Sequence, residues 1–120
     1  MKTRESEEMY LETIYLLVSR NGATRSVNVA EEMGYSRPSV SRAVSLLNKK
    51  GYIRVDENGL ITLTDVGVER ARNIYERHRV ITELLMKIGA DVDMAEENAC
   101  RIEHVITPEL FEVLKKYSEK

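Results

Sequence analysis

Cysteine is nearly absent: Cys100 is the one thiol in 120 residues. No internal disulfide can form, and a reduced, cytoplasmic protein is expected. No apolar run approaches the ~20 residues a membrane-spanning helix requires. The opening segment MKTRESEEMY is charged throughout and lacks the apolar stretch of a signal peptide. No membrane partner is therefore expected. Internal repeats, low-complexity segments and a flexible linker are also lacking, and so is a large charge of one sign. A net charge of −2 does not by itself mark a nucleic-acid binder. What is present, 42% apolar and 32% charged residues, is the balance of a globular protein with room for one medium domain or two small ones sharing a core.

The charges are unevenly distributed. Between Arg20 and Arg54 stand seven cations (Arg20, Arg25, Arg37, Arg42, Lys49, Lys50, Arg54) against two carboxylates, Glu31 and Glu32. Toward the end the balance turns acidic, with Asp91, Asp93, Glu96, Glu97 and Glu103 close together. A basic first half and an acidic second half suggest two tasks in one chain.

Ser6-Glu7-Glu8 reads as a capped helix start, followed by helix-period apolar residues Met9, Ile14, Leu16 and Leu17 up to Asn21-Gly22. A short helix is expected over Val27 to Met33. A third, from Pro38 to Lys50, opens on a proline suited to a first helical turn. Tyr52–Val55 and Leu60–Leu63 alternate around Asp56-Glu57-Asn58-Gly59, a hairpin signal. Three helices and a hairpin in this order describe a winged helix-turn-helix, assigned to residues 1–65. Residues 66–120 read as all-helical: a long helix capped at Thr64-Asp65 and running to about Gly89, a second over Met94 to Ile106, and a third opening at Thr107-Pro108. The fold class is thus mainly α with a small β-hairpin. Three amphipathic helices leave apolar surface uncovered in a monomer, which predicts a homodimer.

In a helix-turn-helix the second helix enters the major groove with its N-terminal residues against base edges and phosphates. Here that start is Ser36-Arg37-Pro38-Ser39-Val40-Ser41-Arg42. Short hydroxyls at Ser36, Ser39 and Ser41 let the backbone approach phosphates. Arg37 suits a backbone anchor, and Arg42 has the reach for a guanine edge. Arg25, Arg54 and the hairpin tip near Asn58 are further contact candidates, although Asp56 and Glu57 count against the tip. The alternative makes Ser36 and Ser39 helix caps and the arginines solvated surface.

Cys100, Glu103 and His104 stand at i, i+3 and i+4, so a thiolate, a carboxylate and an imidazole share one helical face. Each ligates first-row metals when deprotonated, although a lone cysteine is more often a small buried apolar residue. His78 lies midway along the long helix. Met9 and Glu12 lie i, i+3 on the first helix, where Met9 alone would read as core.

Taken together these stretches resemble the diphtheria toxin repressor family of iron- and manganese-dependent regulators. The matching segments are Glu8-Met9-Tyr10-Leu11-Glu12-Thr13-Ile14-Tyr15, Ser36-Arg37-Pro38-Ser39-Val40-Ser41, Leu63-Thr64-Asp65-Val66-Gly67, Arg77-His78-Arg79 and Ala99-Cys100-Arg101-Ile102-Glu103-His104. The resemblance covers essentially the whole chain, in the two-domain form without the SH3-like domain of longer relatives. It implies a homodimer in which metal joins the first helix to the dimerisation helices. Residue by residue, it assigns Met9, Cys100, Glu103 and His104 to the activating site of the iron-responsive branch and makes His78 a ligand used by both branches. Soft thioether and thiolate donors favour Fe²⁺ over Mn²⁺. Glu12 instead fits the manganese branch. Thr82 and Glu96 replace the carboxylate and histidine of the iron-type ancillary site, which is either lost or rebuilt from His78, Glu12, Glu83 and Glu96.

The expected function is a metal-dependent repressor that grips double-stranded operator DNA when loaded with Fe²⁺, or next with Mn²⁺, and controls metal homeostasis genes. Two rivals stand beside it. One is a winged-helix repressor answering to an organic ligand or to oxidation of Cys100. The other is a metallohydrolase with Glu103 as general base, which lacks a Gly-rich loop, a second metal cluster and substrate-binding groups. No enzymatic activity is expected.

Overall fold

In the computed structural model of the chain, the backbone of residues 3–120 and the side chains of residues 7–120 are described. The chain divides into two compact units, residues 1–72 and 73–120. The expected division at 65/66 falls at the start of a helix whose first two turns pack with the first unit.

The first unit contains α1 (Thr3–Asn21), α2 (Ser26–Met33), α3 (Arg37–Lys49), β1 (Ile53–Val55), β2 (Ile61–Leu63) and the beginning of α4 (Asp65–Lys87). Helix α1 starts earlier than the expected Ser6, whose capping role lies outside the described side chains. Its buried residues Tyr10, Leu11, Ile14 and Leu17 form one stripe, the spacing a helix needs to present a single apolar face. Val29 and Ala30 of α2 and Val40, Val44 and Leu47 of α3 complete a small helical core. Tyr10 meets Tyr35, in the turn between α2 and α3, edge to face at 5.7 Å.

Helix boundaries follow from local chemistry. Gly34 ends α2 in the left-handed region, φ 72°, and its N–H returns to the Ala30 carbonyl at 2.8 Å, conformational work that glycine does cheaply. Ser36 then caps α3 by accepting from the Ser39 N–H at 3.3 Å. The hairpin pairs Ile53 with Leu63, Arg54 with Thr62 and Val55 with Ile61. Ile53 and Ile61 are buried while Arg54 and Thr62 are exposed, as a two-residue period on a half-covered sheet requires. Sequence periodicity gave no sign of a further bridge: Thr24, just before α2, pairs with Ile61 through bonds of 3.0 and 2.7 Å.

The exit from the hairpin into α4 is the tightest junction. Thr64 donates to the Gly51 carbonyl at 2.6 Å, and its oxygen accepts the Gly67 N–H at 3.0 Å. A Cβ on Gly67 would stand 1.9 Å from the Tyr52 carbonyl oxygen. Nearby, Arg70 donates to the Tyr52 hydroxyl at 3.0 Å, lies over its ring, and reaches the buried Glu8 carboxylate at 3.4 Å. Lys50 pairs with Glu7.

The second unit comprises the rest of α4, α5 (Val92–Ile102) and α6 (Pro108–Ser118). Val80 and Ile81 of α4, Ala99 of α5, Ile106 and Phe111 are buried together, with Leu84, Leu85, Ile102 and Leu114 against them. Asp91 caps α5 by accepting from Met94 N–H at 2.8 Å, and Thr107 caps α6 from Leu110 N–H at 3.2 Å. Leu110, Val113 and Tyr117 of α6 nevertheless remain exposed, as do Met94 and Val105.

Because backbone rather than a movable side chain meets residue 67, Gly67→Ala must displace the hairpin or α4. We expect a loss of about 2 kcal/mol or more, read as a lower urea midpoint, whereas Gly22→Ala, with open space around it but φ 84°, should cost only about 1 kcal/mol.

Candidate metal centre and DNA-facing surface

The second helix of the second unit is shorter than the sequence periodicity implies. Helix α5 begins two residues before Met94 because Asp91 supplies the cap, and it ends at Ile102 instead of Ile106. Thr107 precedes a proline, a position held in extended backbone (φ −74°, ψ 153°), so the chain must leave α5 before it. Glu103 is the C-cap, and Val105 and Ile106 both return their N–H groups to the Ile102 carbonyl at 3.1 and 3.0 Å. Cys100 therefore sits in the last helical turn, Glu103 at its end and His104 just beyond. The backbone stays helical through Glu103 (φ −61°, ψ −24°), whose N–H bonds the Ala99 carbonyl at 2.9 Å, so the i, i+3, i+4 spacing brings the three together, with ligand atoms all within 4.8 Å of one another.

Glu103 is the centre of this group and is fully buried. Its Oε2 lies 3.1 Å from Nδ1 of His78 on α4, and its Oε1 lies 3.2 Å from Nε2 of His104. Burial pushes the carboxyl pKa up, but the contacts with His104 and His78 outweigh it and hold the group below the usual carboxylate range. Neither carboxylate oxygen receives an aligned N–H, although both nitrogen–oxygen distances are short. Such spacing suits ligands that share an ion: two donors each ~2.1 Å from one metal stand about 3.0 Å apart at a right angle and about 3.4 Å apart at the tetrahedral angle. The buried, unaligned oxygens and the nitrogen, oxygen and sulfur donor set fit a divalent transition metal. Cys100 is a free, exposed thiol at the edge of the group.

Met9 and Glu12 are half-buried on α1 in the first unit. Glu83 is exposed and pairs with Arg79 at 3.2 Å. Glu96 is exposed on α5, and among the described residues neither Glu83 nor Glu96 joins a metal-competent cluster. Among the described residues the buried Thr82 hydroxyl has no hydrogen-bond partner.

At the front of α3, Ser36, Arg37, Pro38, Ser41 and Arg42 are exposed and Ser39 is half-buried. The Ser36 hydroxyl donates to Ser39 Oγ at 3.0 Å, and Arg42 Nη2 reaches the same oxygen at 3.5 Å. Ser36 thus caps the helix and remains at the surface. Arg54 is exposed on β1. Arg25 is exposed too, but its guanidinium is bonded to the hairpin tip at Asn58. The organising role of Asp56 in that tip was not anticipated, although Asp-x-Asn-Gly is a recognisable side-chain-stabilised turn.

Known proteins bear on both halves. The model of the iron dependent repressor N-terminal DNA binding domain matches residues 2–59, and that of the iron dependent repressor metal binding and dimerisation domain matches residues 64–120. The chain belongs to the iron-dependent repressor family. It is 33% identical over 118 residues to the uncharacterized HTH-type transcriptional regulator MJ0568 of Methanocaldococcus jannaschii, covering 97% of this chain and 94% of that one. It is also 33% identical over 119 residues to the diphtheria toxin repressor of Corynebacterium diphtheriae, covering 95% of this chain but only 53% of the longer protein. The chain thus spans about half the length of that relative. Among solved structures, the manganese regulator SloR superposes with a TM-score of 0.82 at 30% identity, over 99% of this chain and 55% of that one. The family is one of metal-dependent, DNA-binding transcriptional repressors with a winged-helix fold, and iron and manganese regulators both occur in it.

A carboxyl pKa held low in the folded chain stabilises that chain above the ordinary unfolded value of ~4.3, and the contribution disappears as pH falls through the lower folded value. Metal-free Glu103→Gln should accordingly lose less stability than the parent chain between about pH 5 and pH 3. Urea titrations at each pH would measure it, and equal losses would contradict the assignment.

Proposed function

We propose that this chain represses transcription by binding operator DNA as a homodimer in the cytoplasm when loaded with a divalent transition metal, Fe²⁺ before Mn²⁺. The observation that carries the reading is the buried Glu103 carboxylate set between the His78 and His104 imidazoles with Cys100 beside it. A buried carboxylate is costly unless opposite charge and hydrogen bonds offset it, and a divalent cation shared by Glu103, His78, His104 and Cys100 would supply that charge directly.

In this reading Cys100, Glu103, His104 and His78 hold the ion, and Met9 and Glu12 complete its ligand set as the family resemblance implies. When bound, the metal supplies positive charge and a cross-link. Glu103 fixes the geometry of both imidazoles, and Cys100 and Met9 supply the soft donors that favour Fe²⁺. Ser36, Arg37, Ser39, Ser41 and Arg42 present hydroxyls, a helix N-terminus and guanidinium groups to DNA. The exposed Leu110, Val113 and Tyr117 of α6, at i, i+3 and i+7, form the kind of apolar stripe that a second copy covers. Moving such a regulator from mostly inactive to mostly active takes about 5.5 kcal/mol of differential metal affinity. Apparent zinc affinities of about 10–16 kcal/mol for four-ligand sites leave room for such a difference where the inactive form offers the ion fewer ligands.

Anaerobic titrations at fixed salt test the reading, comparing chelator, Fe²⁺ and Mn²⁺ on the chain's own upstream DNA. Binding should require metal and appear at lower Fe²⁺ than Mn²⁺. Cys100→Ala and His104→Ala should each abolish the metal response while the dimer persists in sedimentation. A variant that still responds normally, or wild-type binding indifferent to chelator, would refute the metal switch and favour an organic ligand or thiol oxidation as the signal.

A further inference from the structure

Arg25 breaks a local rule. It occupies the N-cap of α2, yet its side chain caps nothing. N-caps favour Ser, Thr, Asp or Asn, and a cation at the positive end of a helix dipole is unfavourable. The compensation lies elsewhere in the first unit. Arg25 Nη1 donates to the Asn58 carbonyl in the hairpin turn at 2.6 Å, across 33 residues of sequence.

The same turn is gripped from its other side. Asp56 Oδ1 accepts the N–H groups of Asn58 at 2.8 Å and Leu60 at 2.9 Å, while Gly59 N–H donates to the Asp56 carbonyl at 3.0 Å. The peptide groups before and after Asn58 are therefore both fastened, one by a carboxylate within the turn and one by a guanidinium from outside it. Next to Arg25, Thr24 adds its two backbone bonds to Ile61. The start of α2 and the hairpin are tied at two successive residues, and α2 connects to α3 through only the short Gly34–Ser36 turn.

We propose that Arg25 is a wing-positioning residue: its guanidinium locks the hairpin turn to the start of α2, so that hairpin and α3 meet DNA as one preformed surface. A hairpin tip already ordered in the free protein does not lose its conformational freedom on binding. The bond also sets a cation beside the acidic tip residues Asp56 and Glu57, which would otherwise repel phosphates. Arg25 thereby acts through the wing and is not itself the phosphate contact that its charge suggests.

Arg25→Gln and Arg25→Lys separate the two roles, since lysine keeps the charge but lacks the guanidinium fork. Amide hydrogen exchange of the free protein is the first readout. Both variants should speed exchange at Asn58 and Leu60 by about fivefold or more, as loss of one stabilising hydrogen bond predicts, and leave the buried Val44 and Leu47 amides of α3 unchanged. The second readout rests on the DNA-binding reading: both variants should weaken operator binding about fivefold with an unchanged slope of log affinity against log salt. Rescue by lysine, together with a slope for Arg25→Gln shallower by about 0.9, would overturn the proposal and make Arg25 a phosphate contact. Unaltered exchange at the turn in both variants would overturn it as well. The exchange measurement needs neither metal nor operator, so its outcome is independent of whether the chain represses transcription.

Discussion

The ionised Glu103 carboxylate, fully buried and 3.1–3.2 Å from two imidazole nitrogens, is the constraint on which the second unit depends. A charge removed from water costs several kcal/mol after relaxation, and attraction offsets that cost only where the partners are well placed. His78 comes from α4 and His104 from the turn after α5, so satisfying one carboxylate fixes two elements of the unit. The cap at Asp91, the end of α5 at Ile102 and the proline at 108 then have a common consequence. They stop the helix where Glu103 can face both rings.

On the proposed reading, that arrangement gives the centre reason to respond to metal. A site already satisfied by aligned hydrogen bonds has little to gain from an ion. Here the distances are short but no N–H is aligned with either carboxylate oxygen, and the sulfur at the edge is exposed. In the proposed reading a divalent cation would add a full opposite charge at this carboxylate. The exposed thiol gives the site its soft character, while Glu103 and the imidazoles suit several first-row ions. Selectivity between iron and manganese therefore turns on a few donors and not on the fold, which serves regulators of both metals among the relatives.

Much of this was legible in the residues. Caps at Ser36, Thr64 and Thr107, the glycine stop at Gly34 and the Asn58-Gly59 hairpin turn are local signals, and local signals survive without knowledge of the tertiary structure. The ligand trio was legible as a spacing, and its donors do stand together, but Pro108 lay far enough downstream for the helix to be extended four residues beyond its end at Ile102. What periodicity could not give were contacts between distant segments. Thr24 with Ile61, Arg70 with Glu8 and Tyr52, and Gly67 against the Tyr52 carbonyl each join residues from different elements, too far apart in sequence for a local signal. Gly67 is instructive: in a helix its lack of a side chain reads as a weakness, and only the carbonyl 1.9 Å from its absent Cβ shows why nothing larger fits.

The places where local rules fail are therefore informative. Most helix starts here obey them, with Ser36, Asp91 and Thr107 each accepting a backbone N–H from three residues on. Two positions do not: a cation stands at the N-cap of α2, and a fully buried carboxylate stands at the C-cap of α5. A sequence consistent across levels tolerates such conflicts where something else compensates, and those places are commonly functional. At Arg25 the compensation is visible, since the guanidinium that does nothing for its own helix secures the wing. At Glu103 it comes from the His78 and His104 imidazoles at 3.1 and 3.2 Å. The first conflict is resolved within the protein. The second gathers the donors that, in the proposed function, a divalent cation would share.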